Sequence, residues 1–397
     1  MKNINILKIP FGNRKVLYGR FASKYLVEEL KERNLGHAFV CTDSGLGKTA
    51  MFREFVEMLK NGGIKVTIYD EVLPNPLAEN IENGKKALLE SDSDCVIGFG
   101  GGSSMDAAKM ITALASSEGD IIEYTSHYVG MKKFNPKKHY LIGIPTTAGT
   151  GSEMDNCACV VDYNGRKQNV FSDELYYDLA VIDPTFLYNC PKKVIAACGI
   201  DAMCHSLERY IGKPNMIFDV CALKSIDLAL KNLENAYKNI GEEYRDQMAM
   251  SSFLSGVILD VGVGAKSVPV HSIALPLSMR YHLSHGESLA AVLPYVLERV
   301  IEVLPEPVAA IGRYIGIIEK DDKVCARLFC IELQRMIRAL DLEISRDIDV
   351  TEEEIEALAN TAIISKTTTD NEILPCDFEK CCAIYRCVFN HEIIELN

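Results

Sequence analysis

The run Gly98-Phe99-Gly100-Gly101-Gly102-Ser103-Ser104-Met105-Asp106 decides the fold. It follows the apolar segment DCVIG and opens the amphipathic segment SSMDAAKMITALASS, so it reads as a turn joining a β-strand to a helix. Consecutive glycines let the backbone come close to a ligand, and the amides at the start of a helix favour an anion such as a pyrophosphate. Ser103 stands where the G-x-G-x-x-G fingerprint has its third glycine, so the run is a different phosphate loop from that one. A purely structural tight turn is the alternative, and three glycines before a capping serine weigh against it.

Outward from this loop the pattern repeats. HAFVCT (37–42), IKVTIYD (64–70), DCVIGFG (94–100) and HYLIGIPTT (139–147) read as strands. Between them KTAMFREFVEMLKNGG, ENIENGKKALLES and SSMDAAKMITALASS carry helical periodicity, giving successive βαβ units and a parallel sheet covered by helices. A second small-residue loop, Pro145-Thr146-Thr147-Ala148-Gly149-Thr150-Gly151-Ser152-Glu153, follows a strand, and its hydroxyls suit a ribose or phosphate. Two such loops at the carboxyl ends of strands imply one nucleotide crevice. Asp43, just past HAFVCT, can accept a hydrogen bond from a ribose 2′-hydroxyl and repel a 2′-phosphate, which predicts NAD over NADP. The competing role for Asp43 is to cap the helix that follows. Residues 42–49 nearly spell a P-loop, but Thr42 replaces its first glycine, so an NTPase reading is weak.

From Pro191 the strand signals stop, and five long segments carry helical periodicity. The sequence therefore predicts an α/β dinucleotide-binding domain over 1–190 and an all-helical metal-binding domain over 191–397. In the second, Gly199-Ile200-Asp201-Ala202-Met203-Cys204-His205 places a carboxylate and an imidazole one turn apart on one helix face. Of eight histidines in the chain, His271, His282 and His285 crowd one short segment downstream. One oxygen and two or three nitrogen donors suit Fe²⁺ or Zn²⁺. A helix-capping Asp201 with ordinary polar histidines is the competing reading. A nucleotide loop set in one domain and a metal cluster in the next predict a site between them.

Composition narrows the partners. The 397 residues are 48% hydrophobic and 24% charged, as in a globular protein, and exceed what one core usually supports. A net charge of −13 argues against nucleic acid or an anionic membrane as partner. The N-terminal run has no long apolar region and no apolar stretch is long enough to span a bilayer, so a cytoplasmic location is expected. Fourteen scattered cysteines without a Cys-x-x-Cys pair read as thiols in a reducing compartment. The tail set Cys376, Cys381, Cys382 and Cys387 lacks zinc-finger spacing.

The motifs taken together resemble the iron-dependent (group III) alcohol dehydrogenase family over nearly the whole chain. Its GGGS-x-x-D loop stands at Gly100, Gly101, Gly102, Ser103 and Asp106, with PTTAGTGSE at 145–153. Its G-x-D-A-x-x-H motif stands at Gly199 to His205, and its closing histidine pair at His271 and His285-Gly286. The resemblance implies a Rossmann-like parallel-sheet domain followed by a helical domain, a dehydroquinate synthase-like architecture. It implies Asp201, His205, His271 and His285 as ligands of Fe²⁺, with Zn²⁺ as the other candidate. It also implies that Asn75, Thr146, Thr147, Thr150 and Lys167 contact the dinucleotide, and that the enzyme is a homodimer. SDELY (172–176) and the YH-x-x-HG ending are most similar to the 4-hydroxybutyrate dehydrogenase branch.

The expected reaction is hydride transfer between NAD(H) and a short-chain alcohol or aldehyde, with 4-hydroxybutyrate and succinate semialdehyde as the specific pair. Many family members carry a further histidine four residues after the third ligand, where this chain has Leu275. His282 is then the remaining candidate for proton transfer, with an ordinary exposed loop histidine as the alternative. Lys266 and Arg280 are candidates to meet a substrate carboxylate, or else solvated surface cations. A glycerol dehydrogenase-like or dehydroquinate synthase-like metalloenzyme is the rival function.

Overall fold

The structure, a computed structural model, describes residues 7–11, 14–125, 130–212, 215–259, 268–344 and 348–396. The chain divides into two compact units, Met1–Cys190 and Pro191–Asn397.

In the first unit the described elements run β1 (Leu7–Phe11), β2 (Arg14–Tyr18), α1 (Leu26–Glu32), β3 (His37–Asp43), α2 (Ala50–Asn61), β4 (Lys65–Val72), α3 (Ala78–Ser91), β5 (Cys95–Gly100) and α4 (Gly102–Ala115). They continue through β6 (Tyr140–Pro145), β7 (Cys157–Val161), β8 (Lys167–Phe171) and β9 (Leu179–Ile182). Seven strands form one sheet in the order β1-β2-β9-β6-β5-β3-β4, parallel except for the β1-β2 pair. Because both faces are covered, the central strands read as continuous apolar runs, and alternate residues supply two cores. Phe39, Val96 and Leu141 pack on one face with Met105 and Ile111 of α4. Val40, Ile97 and Ile142 pack on the other with Phe52 and Phe55 of α2. The strand β9, only four residues long, lies between β2 and β6. Asp178 just before it accepts a hydrogen bond from the Leu141 amide at 2.8 Å. The β7-β8 pair is a separate antiparallel hairpin. Asp162 at its turn accepts hydrogen bonds from the amides of Asn164 and Arg166, and Gly165 takes the left-handed backbone, φ +75°.

The second unit is helical throughout its described residues: α5 (Lys192–Ile211), α6 (Met216–Lys238), α7 (Glu242–Leu259), α8 (Val270–Tyr281), α9 (His285–Val303), α10 (Pro305–Tyr314), α11 (Asp322–Ala339), α12 (Glu352–Ala362), α13 (Lys366–Thr369) and α14 (Phe378–Phe389). Buried on most of its length, α5 is the central helix. Gly199 makes room for α6: a Cβ there would sit 2.3 Å from Leu233 Cδ1. Gly286 does the same for α9, where a Cβ would lie 2.0 Å from the backbone oxygen of Ala197 on α5. No helix among the described residues is long and apolar enough to cross a membrane.

Candidate functional site

On α5 the i, i+4 spacing turns Asp201 and His205 to the same side. His271 enters from the first turn of α8, and His285 is the first residue of α9. A reciprocal cap fixes that start, with Ser284 Oγ accepting from the Glu287 amide and Glu287 Oε2 from the Ser284 amide. The close approach permitted by Gly286 brings His285 against α5.

The four side chains converge on one point. Asp201 Oδ1 stands 3.5 Å from Nε2 of each of His205, His271 and His285. Ligand atoms of Asp201, His271 and His285 all fall within 4.8 Å of one another. The His205 and His271 rings stack with centroids 4.8 Å apart. Burial by itself would raise the Asp201 carboxyl, but the surrounding histidines hold it well below the usual carboxylate range. Burial by itself would lower His271, yet the carboxylates of Glu208 and Asp201 carry it up to about 10 in the metal-free chain. Asp201 Oδ1 and His271 Nε2 are buried and make no hydrogen bond among the described residues. Leaving such atoms unsatisfied costs on the order of 1–3 kcal/mol each, so the arrangement calls for a cation. One carboxylate oxygen and three imidazole nitrogens fit Fe²⁺ or Zn²⁺.

Sequence reasoning overlooked Glu208. It lies three residues past His205 on α5, buried, and accepts from both the backbone amide (3.0 Å) and Nδ1 (2.8 Å) of His271. The signal was available, because 201, 205 and 208 follow one another down a single helix face.

In the first unit the two small-residue loops pack directly on each other. The Thr146 amide donates to the Gly100 carbonyl at 2.9 Å. A Cβ on Gly102 would approach Thr150 Cγ2 to 2.6 Å, and one on Gly101 would meet Thr147 at 3.3 Å. Gly100 has φ +154°, a backbone state that suits glycine. Asn75, in the left-handed conformation at φ +51°, donates its amide to Ser103 Oγ at 3.2 Å. The structure thus gathers Asn75, Gly100, Gly101, Gly102, Ser103, Thr146, Thr147 and Thr150 around one loop pair.

Asp106 occupies a different place from the rest of that set. Its carboxylate accepts from Ser152 Oγ and the Cys159 amide, both at 2.9 Å, so it ties the threonine loop and β7 to α4. Beneath it Lys109, fully buried, donates to Asp155 Oδ1 at 2.6 Å and the Cys157 carbonyl at 2.7 Å. Lys167 sits at the start of β8, paired across the hairpin with Val161. Asp43 Oδ1 accepts from the Gly45 and Leu46 amides, both at 2.9 Å, which is the capping role. The near P-loop is taken up by local structure, with Thr42 buried in β3 and Thr49 capping α2 through the Phe52 amide.

His282 ends α8 with φ +55° and is exposed. Leu275, half-buried, lies one turn beyond His271 on the same helix. Arg280 is turned to Glu354 in an exposed ion pair at 2.7 Å, and Lys266 lies outside the described residues.

Comparison with known proteins finds relatives over nearly the whole chain. Residues 13–184 match the family model for iron-containing alcohol dehydrogenase, and residues 195–389 that for the C-terminal part of the Fe-containing alcohol dehydrogenase family. Long-chain-alcohol dehydrogenase 1 of Geobacillus thermodenitrificans is 32% identical over 380 residues, spanning 93% of this chain and 94% of that protein. The crystal structure of a 1,3-propanediol oxidoreductase superposes with a TM-score of 0.87 at 26% identity, over 98% of this chain and 100% of that one. A sulfoacetaldehyde reductase from Bifidobacterium kashiwanohense, solved in complex with NAD⁺, shares the fold with a TM-score of 0.84 at 21% identity, over 98% and 100% of the two chains. The parallel-sheet unit followed by a helical unit is the dehydroquinate synthase-like architecture of these structures. By family models that together cover most of its length, the chain belongs to the iron-containing alcohol dehydrogenases.

Proposed function

We propose that this enzyme transfers hydride between NAD(H) and a short aliphatic alcohol or aldehyde, with Fe²⁺ held by Asp201, His205, His271 and His285. The observation that carries the proposal is the convergence of three Nε2 atoms on the buried Asp201 Oδ1. A bound divalent metal supplies Lewis acidity to a carbonyl oxygen or lowers the pKa of an alcohol, and NAD(H) supplies the hydride.

The chain's own residues supply placement. Asn75, the glycine loop, the threonines and Lys167 are assigned to the dinucleotide, and the NAD⁺-bound structure of the Bifidobacterium relative supports that choice of cofactor. Asp106 serves by holding the threonine loop. Asp43, its Oδ1 anchored by two amides, is assigned to the discrimination against a 2′-phosphate. His282, exposed and three residues before His285, is assigned to proton exchange with solvent. Leu275, on the helix that carries His271, gives the substrate an apolar neighbour that cannot pair with a vicinal hydroxyl.

Succinate semialdehyde remains the finer proposal, resting on the likeness of 172–176 to the 4-hydroxybutyrate branch. The Arg280–Glu354 pair removes Arg280 from its support. Kinetics on the Fe²⁺-loaded protein, followed by NADH absorbance, tests the reading. Butyraldehyde is expected to give a higher kcat/KM than lactaldehyde, and the reverse order would overturn the role of Leu275. Succinate semialdehyde above butyraldehyde would support an ω-carboxylate substrate. Net NADH formation with an alcohol also distinguishes a dehydrogenase from a lyase that uses NAD only transiently. The metal assignment predicts that a His271→Ala, His285→Ala double variant retains no stoichiometric metal.

A further inference from the structure

Beside the metal cluster lies a buried carboxylate to which the metal reading gives no task. Glu208 is almost completely buried on α5, where an ionised carboxylate is tolerated only when well paired. Both of its oxygens are used, and both by one residue: Oε1 accepts from the His271 amide at 3.0 Å and Oε2 from His271 Nδ1 at 2.8 Å. The amide is one of the donors that a helix start cannot satisfy internally, since His271 lies in the first turn of α8. The ring contact sets chemistry as well as position. An ionised carboxylate only accepts, so Nδ1 must carry the proton, and the lone pair of the neutral ring is then at Nε2. Nε2 is the atom that stands 3.5 Å from Asp201 Oδ1.

We infer that Glu208 is a positioning residue, which fixes the His271 ring and its tautomer so that Nε2 is presented to the metal. This rests on the metal-binding reading of the cluster. Outer partners of this kind typically contribute about 10- to 100-fold in metal affinity.

Glu208→Gln separates the positioning role from simple anchorage. Glutamine has one accepting oxygen and one donating NH₂, so it cannot serve two donors at once. With its oxygen on the His271 amide, its NH₂ faces Nδ1 and favours the ring with Nε2 protonated, which cannot ligate. With its oxygen on Nδ1, the NH₂ confronts the backbone N–H. The experiment is titration of the metal-stripped full-length protein with Co²⁺, read by visible absorption, alongside circular dichroism and thermal melting. The expected result is that Glu208→Gln stays folded but binds Co²⁺ about 10- to 100-fold more weakly, with an altered spectrum. Glu208→Ala should do the same, and if it fails to fold, the Gln variant decides. Co²⁺ binding and spectrum equal to wild type in a folded Gln variant would overturn the inference, as would a lowered melting temperature with an unchanged spectrum. Absence of Co²⁺ uptake by the wild type would instead overturn the metal reading itself.

Discussion

Glu153 ends the threonine loop as a buried carboxyl, and its burial pushes its pKa up to about 7. A carboxyl whose folded pKa lies above its unfolded value binds its proton more tightly in the native state. Its contribution is therefore fully present below about pH 4.5 and is lost as pH rises through about 7. Ionised in place, it costs on the order of 3 kcal/mol. Glu153→Gln should flatten the fall in stability between about pH 4.5 and 7, read from urea midpoints across that range. An unchanged slope would show that Glu153 is not the group responsible. At this scale the sequence was partly legible. Asp201 and His205 declared themselves by spacing, because one turn of helix puts them side by side. Glu208 continued the same face but was hidden by its ordinary type, since a glutamate on a helix usually points to water. Lys109 was hidden likewise, and its partner Asp155 is far enough along the chain that no local pattern joins them.

The helix α9 is exposed to a single change. Its second residue, Gly286, has no room for a Cβ, because Ala197 O would lie 2.0 Å away on a backbone that cannot swing aside. Gly286→Ala must push α9 off α5 and take His285 with it. We expect a stability loss of about 1–3 kcal/mol from overpacking, and metal content well below stoichiometric in the folded fraction, measured by elemental analysis. Full metal content would show that α9 can move without disturbing its ligand. The strands flanking the glycine loop were readable because strands buried on both faces are apolar throughout. The strand β9 was harder to read, since four residues, Leu179–Ile182, carry too little pattern for either period. Its place beside β2 and β6 is set by long-range pairing that no local window contains.

Over the whole molecule, the four proposed metal ligands are spread from residue 201 to residue 285 on three helices, so they meet only in the folded helical unit. Metal binding is then linked to folding: a free concentration of about 100 times Kd adds roughly 2.7 kcal/mol. Calorimetry should show a chelator lowering Tm and Fe²⁺ or Zn²⁺ restoring it. A Tm indifferent to both would mean that the cluster binds no metal in the folded chain. The division after Cys190 also separates the two sets of proposed site residues. The loop pair around Gly102 is encoded wholly before that point and the four proposed ligands wholly after it. Under the proposed function, a crossover at this seam would hand down each set complete, exchanging the redox carrier's loops without breaking up the residues proposed to hold the Lewis acid.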